Sequence, residues 1–168
     1  MNRYVSIYFV LIFSLLFTGF SRHSKLKITG IWKVVEVQTV RNANTVTVVY
    51  PSESQAIFTQ NIYSFCWTSH ATQLRSWNMP DTAKLSRFNQ SIVNTGSFEL
   101  KDSTLITKAV FAMHPMFVNG EARFKCSFSG DTLILTGTSV TSSEKIANPV
   151  YANGSYFVTK LIKTGILK

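Results

Sequence analysis

Acidic residues are scarce in this chain: eight Asp and Glu stand against 17 Lys and Arg in 168 residues, for a formal net charge of +9. The few carboxylates are spread along the sequence and leave no evident pair for general acid–base work. The three histidines, His23, His70 and His114, stand in no motif spacing with one another, and Cys66 and Cys126 are the only cysteines. That pattern excludes the clustered ligands of a zinc site. There is no Gly-x-Ser-x-Gly elbow for a nucleophilic serine and no phosphate-cradling loop. No catalytic residue, metal or cofactor is therefore expected.

A cationic excess raises nucleic acid or an anionic membrane surface as partners. Apart from the segment Arg22 to Lys27, however, the cations lie singly, with no basic stripe set among stacking aromatics. Nucleic acid is not an expected partner. Weak association with a membrane surface through the basic residues stays open, as does the oligomeric state.

Long apolar stretches are confined to the start. Arg3 is followed by an uncharged run from Val5 to Phe20, and Gly19-Phe20-Ser21 places small residues at minus three and minus one of a cleavage after Ser21. Residues 1–21 read as a signal peptide, which predicts an exported protein, periplasmic or secreted. The alternative is a retained anchor: the run is short of the ~20 residues of a spanning helix but can manage with tilt. The remainder, residues 22–168, has the size of one domain.

Helix formers in register are also rare. Only Asp81–Val93 offers them, with Pro80 and Asp81 as a start and Leu85, Phe88 and Ile92 spaced by three and four. Elsewhere short runs rich in Val, Ile, Thr, Phe and Tyr alternate with turn residues. Strands are expected at Ile31–Arg41, Val46–Tyr50, Gln55–Thr59, Ile62–Thr68, Thr95–Lys101, Thr104–Met113, Glu121–Ser129, Thr132–Val140 and Ser155–Lys163. The irregular segment from Ser69 to Lys84, with Trp77 and Met79-Pro80, reads as a lid or flap.

Two-residue loops fix which residues face each other across a hairpin. With Gly130-Asp131 as the turn, Phe128 meets Leu133, Cys126 meets Leu135 and Phe124 meets Gly137, a dry face. Arg123 falls opposite Thr138 on the wet one. With Asp102-Ser103 as the turn, Leu100 meets Leu105, Phe98 meets Thr107, Gly96 meets Ala109 and Asn94 meets Phe111. Each hairpin sorts into one apolar and one polar side, as a sheet curled round its own interior requires. The predicted fold is all-β: an antiparallel up-and-down barrel of about eight or nine strands with one short helix, a two-sheet sandwich being the alternative. The same alternation puts Tyr63, Phe65 and Trp67 on one face and Cys66 on the other, so the cysteines are expected as two free, buried thiols rather than a disulfide.

Gly30-Ile31-Trp32 resembles the Gly-x-Trp opening of lipocalins. The runs from Asn94 to Leu100, from His114 to Phe124 and from Gly130 to Thr136 resemble the lipocalin-like domain found in many bacterial proteins. This resemblance spans about Ile28 to Lys163 and implies a calyx-shaped barrel without implying a reaction. The Thr-Asp-Tyr triplet of lipocalins is missing, and the last strand offers Lys160 and Lys163 where lipocalins set an Arg against the Trp. Trp32 is accordingly expected to plug one barrel end, capped by Lys160 or Lys163 through a cation–π contact.

The candidate interior residues are Phe58, Tyr63, Trp67, Asn94, Phe98, Phe111 and His114. As packing they would fill the barrel; as a site they would form an apolar pocket in which Tyr63, Asn94 and His114 orient a small apolar or amphipathic molecule. Three functions are compatible with these residues. The barrel is a container for such a ligand, a filled module that acts through its outer surface, or an isomerase or cyclase with Tyr63 and His114 as acid and base.

Overall fold

Alternation of branched and aromatic residues with polar ones, punctuated by two-residue loops, drives this chain into hairpins. In a computed structural model, which describes residues 27–71 and 76–164, nine antiparallel strands form: β1 (Gly30–Arg41), β2 (Asn44–Val49), β3 (Glu53–Thr59), β4 (Ile62–Thr68), β5 (Ser91–Lys101), β6 (Thr104–Ala112), β7 (Glu121–Ser129), β8 (Thr132–Thr141) and β9 (Ser155–Thr164). Helix α1 (Asp81–Asn89) links β4 to β5, a 3-10 turn (Pro115–Phe117) links β6 to β7, and the four-residue α2 (Pro149–Ala152) links β8 to β9. The expected signal segment lies outside the described residues.

Pairing of β1 with β9 along Ile31–Arg41 closes the sheet. The other edge of β1 is shared: β3 takes Gly30–Trp32, and β2 takes Val37–Arg41. The result is a closed eight-stranded barrel with β2 outside the ring. A sandwich is thereby excluded, because sandwiches keep two open sheets while this sheet has joined its own ends.

The two hairpin registers deduced from the turns hold at Phe128↔Leu133, Cys126↔Leu135, Phe124↔Gly137, Leu100↔Leu105, Phe98↔Thr107 and Gly96↔Ala109. They fail beyond bulges. A bulge at Val110 sets Asn94 opposite Ala112 instead of Phe111, and one at Thr138 sets Arg123 opposite Ser139. A third interrupts β1 between Val34 and Glu36. Each adds one residue and reverses the in–out phase of the strand beyond it. Phe111 therefore points outward, 58% exposed, while Ala112 is buried.

Other expectations need correction. The helix ends at Asn89, so Ile92 belongs to β5 rather than to a third helical repeat; α1 itself buries no residue. Both cysteines are free, but only Cys126 is buried; Cys66 sits on the outer face with its Sγ 3.4 Å from the Gln55 carbonyl oxygen, which accepts its weak hydrogen bond. In the described part of the Ser69–Lys84 segment Trp77 is fully exposed.

One barrel end is solid. Ile28, Trp32, Val34, Phe58, Leu105, Leu133 and Leu161 are its fully buried side chains. Trp32 Nε1 donates to the Ile28 carbonyl at 2.8 Å, satisfying the one polar atom the indole brings inside. Phe98 packs edge-on against Phe58 at 5.6 Å, and Phe128, 40% exposed at the rim, tilts over Trp32 at 6.0 Å. Gly30 has φ +146°, and a Cβ there would meet Lys163 Cε at 2.8 Å. The glycine two residues before the tryptophan thus clears the path by which Lys163 reaches the ring, its Nζ 5.6 Å from the centroid. Lys160 is not the cap: it faces outward and bridges Glu36 at 2.8 Å. That hydrogen bond from Lys160, helped by Gln38 and opposed by partial burial, holds the Glu36 carboxyl below its ordinary value.

Candidate functional site

Above the solid end the barrel is hollow. Inward positions Ala109 and Ala122 carry little bulk, and a cavity of about 270 Å³ opens there. Its floor is Phe58 and Leu105; its walls carry Tyr63, Phe65 and Trp67 from β4, Phe124 from β7 and Phe157 from β9. At the end away from Trp32, Phe117 of the 3-10 turn and Tyr151 of α2 complete the lining.

Local sequence explains how the two end pieces are held. Asn148 caps α2, its Oδ1 accepting from Val150 N at 3.0 Å, and Pro149 fits the first helical position. This sends Tyr151 back over β8, where Gly137 has no side chain; a Cβ at Gly137 would collide with the Tyr151 hydroxyl. The phenol occupies the vacated space and packs edge-on against Phe157 at 6.0 Å. Similarly, His114 caps the 3-10 turn with Nδ1 accepting from Met116 N at 3.3 Å, and its ring meets Phe117 edge-on at 5.8 Å.

Apart from Glu121, the polar side chains that line the cavity are hydroxyls and amides. Burial pushes the Tyr63 hydroxyl up, with a Thr107 hydrogen bond opposing it, and pushes Tyr151 to about 12, with a Phe157 backbone hydrogen bond opposing. Both remain O–H groups at ordinary pH. Asn94 lines the wall, and its Oδ1 is buried without a hydrogen-bond partner. Among the described residues the one charged residue of the lining is Glu121, whose carboxylate accepts from Arg123 Nε at 2.7 Å. Among the described residues no Lys or Arg side chain lines it.

Of the residues expected inside, the structure brings Phe58, Tyr63, Trp67 and Asn94 together around the cavity. Phe98 lies beneath them in the packed core, and Phe111 and His114 are on the outside. The pairing of Tyr63 with His114 that acid–base catalysis would need is not assembled. Sequence reasoning missed Thr107, Phe117, Tyr151 and Phe157 as lining residues. The hairpin alternation already marked Thr107, opposite Phe98, but nothing local marked Tyr151, whose place depends on the contact with Gly137.

Two further features bear on chemistry. Cys126 is a core thiol that burial pushes to about 12, far from a reactive thiolate. A second hollow lies outside the barrel beneath α1, lined by Cys66, Met79, Arg87, Phe88 and Met113 among others, where Arg87 bridges Glu53 at 2.7 Å. Among the described residues no group of three or more His, Cys, Asp or Glu is placed to hold a metal ion, and no helix is long and apolar enough to cross a membrane. Comparison of the chain with protein-family models and with curated protein sequences finds no match to either.

Proposed function

We propose that this protein is an exported, lipocalin-like container that holds one small apolar or amphipathic molecule in its barrel. The observation that carries this reading is the 270 Å³ hollow walled by aromatic side chains at one end of a barrel whose other end is solid. An apolar cavity of about 150 Å³ holds benzene, so this one has room for a molecule of nearly twice that bulk. A filled module acting only through its outer surface has no use for such a space, and its walls gain dispersion contacts only when something occupies it. The opening run to Ser21 supports export, and the Gly30-Ile31-Trp32 plug supports the lipocalin likeness.

Titration of the full chain with N-phenyl-1-naphthylamine tests the proposal. Saturable, blue-shifted probe fluorescence is expected, with loss of binding in Ala122→Phe, which fills the hollow from β7. A probe that fails to saturate, or an unchanged affinity in the filled variant, refutes a container at this place.

A further inference from the structure

Building on the container reading, we infer that the end of the barrel away from Trp32 docks on the surface of a lipid bilayer through exposed apolar side chains, so that the cavity exchanges its occupant with the membrane. The two ends of the barrel differ in kind. At the Trp32 end the strands are joined by two-residue turns of polar residues and glycine: Gln60-Asn61, Asp102-Ser103 and Gly130-Asp131. The apolar residues exposed there, Ile62, Phe128 and Ile162, lie within strands. At the other end the β4–β5, β6–β7 and β8–β9 connections are long, and each exposes a large apolar side chain: Trp77 and Leu85 on the first, Met116 on the second and Ile146 on the third. A single exposed apolar residue is ordinary, whereas four gathered on the long connections of one end mark a surface that meets an apolar phase.

Charge and ligand chemistry choose the partner. Among the described residues of these connections each Lys or Arg is matched by a carboxylate: Lys84 bridges Asp81 at 2.9 Å, Arg87 bridges Glu53 at 2.7 Å, and Lys145 follows Glu144 directly. The net charge of +9 is therefore not gathered at this end. A nucleic acid or a strongly acidic surface demands unmatched cations. A net-neutral phosphocholine surface demands apolar anchors, with Trp favoured at its interface. Four anchors carried on three separate connections suit a yielding interface better than the continuous, close-packed core of a protein–protein contact. The membrane is also the reservoir of a water-shy occupant, because its apolar surface is removed from water in lipid as it is within the aromatic walls of the cavity.

Emission of Trp77 reads the docking, taken as the difference between the full chain and its Trp77→Phe variant, which keeps an apolar anchor and removes the reporter. On vesicles of dioleoylphosphatidylcholine this emission is expected to shift to the blue and to be quenched by lipid brominated in its acyl chains, equally at low and at high salt. Leu85→Ser combined with Ile146→Ser, both outside the cavity lining, should lower the vesicle partition coefficient at least tenfold and leave N-phenyl-1-naphthylamine binding in lipid-free buffer unchanged. Vesicle binding that leaves Trp77 unquenched, that needs anionic phosphatidylglycerol and is lost at high salt, or that the double variant retains in full overturns docking at this end. So does an absence of vesicle binding, or a lipid-free dimer that shields Trp77. Probe binding in buffer reports the container separately: docking with no probe binding overturns the exchange of a ligand and leaves the contact.

Discussion

Trp32 joins three neighbours that differ in kind: a carbonyl at Ile28, an aromatic ring at Phe128 and an ammonium at Lys163. Truncation to alanine empties a fully buried site and strands the Ile28 carbonyl. Trp32→Ala is expected to lose about 3–5 kcal/mol in urea unfolding, the range for deleting a large buried aromatic. Lys163→Met keeps the bulk and removes the charge; a loss of about 0.5–1 kcal/mol is expected, as for a partly exposed cation–π contact. Lys160→Met leaves Trp32 untouched, so intrinsic Trp emission should shift for the Lys163 variant and not for the Lys160 one. The two thiols provide an independent check on strand facing. Cys66 should react with Ellman's reagent in the native protein and Cys126 only in denaturant, since one lies outside and the other is 2% exposed in the core.

At the scale of strands and turns, bulges decide what the cavity is made of. Gly96 faces the bulge at Val110, and a Cβ on it would collide with the Lys108 carbonyl and come within 2.9 Å of Ala109 Cα. These are backbone atoms that cannot swing aside. Gly96→Ala is expected to cost about 1–3 kcal/mol, as overpacking does, measured by the urea midpoint. By contrast Gly137→Ala meets only the end of Tyr151, a side chain that can leave. Its expected effect is a smaller stability loss with Tyr151 displaced from the cavity, seen as a more easily ionised phenol in a spectrophotometric titration. This contrast also explains how much of the barrel is legible in the chain. Turn chemistry and alternation make the hairpins around Asp102-Ser103 and Gly130-Asp131 readable, and with them the inward placing of Phe124, Cys126, Leu105 and Thr107. Bulges carry no local signature of that strength. Alternation alone sends Phe111 inward, yet it lies outward because one extra residue, Val110, stands between it and the turn that sets the count. His114 fails for a related reason: its spacing fits a barrel mouth, but its ring is used to cap the 3-10 turn. Tyr151 depends on a glycine 14 residues away in sequence, beyond the reach of any pattern read along one strand.

For the whole molecule, closure turns separate buried groups into a shared pH response. Cys126 and Tyr151 ionise near 9 and 10 in an unfolded chain and near 12 in the barrel, because the charged form is costly inside it. Between those values the unfolded state binds fewer protons than the folded one, so stability falls as pH rises. The contribution is intact below about pH 9 and is lost progressively up to about 12. A comparison of variants isolates the buried pair. In urea unfolding at pH 7.5 and 10.5 the wild-type protein should lose about 3 kcal/mol more than a Cys126→Ala, Tyr151→Phe double variant across the same interval, by linkage. Equal losses in the two proteins would mean that these groups ionise in the folded barrel as they do in water, and that the barrel does not shield Cys126 and Tyr151 from solvent.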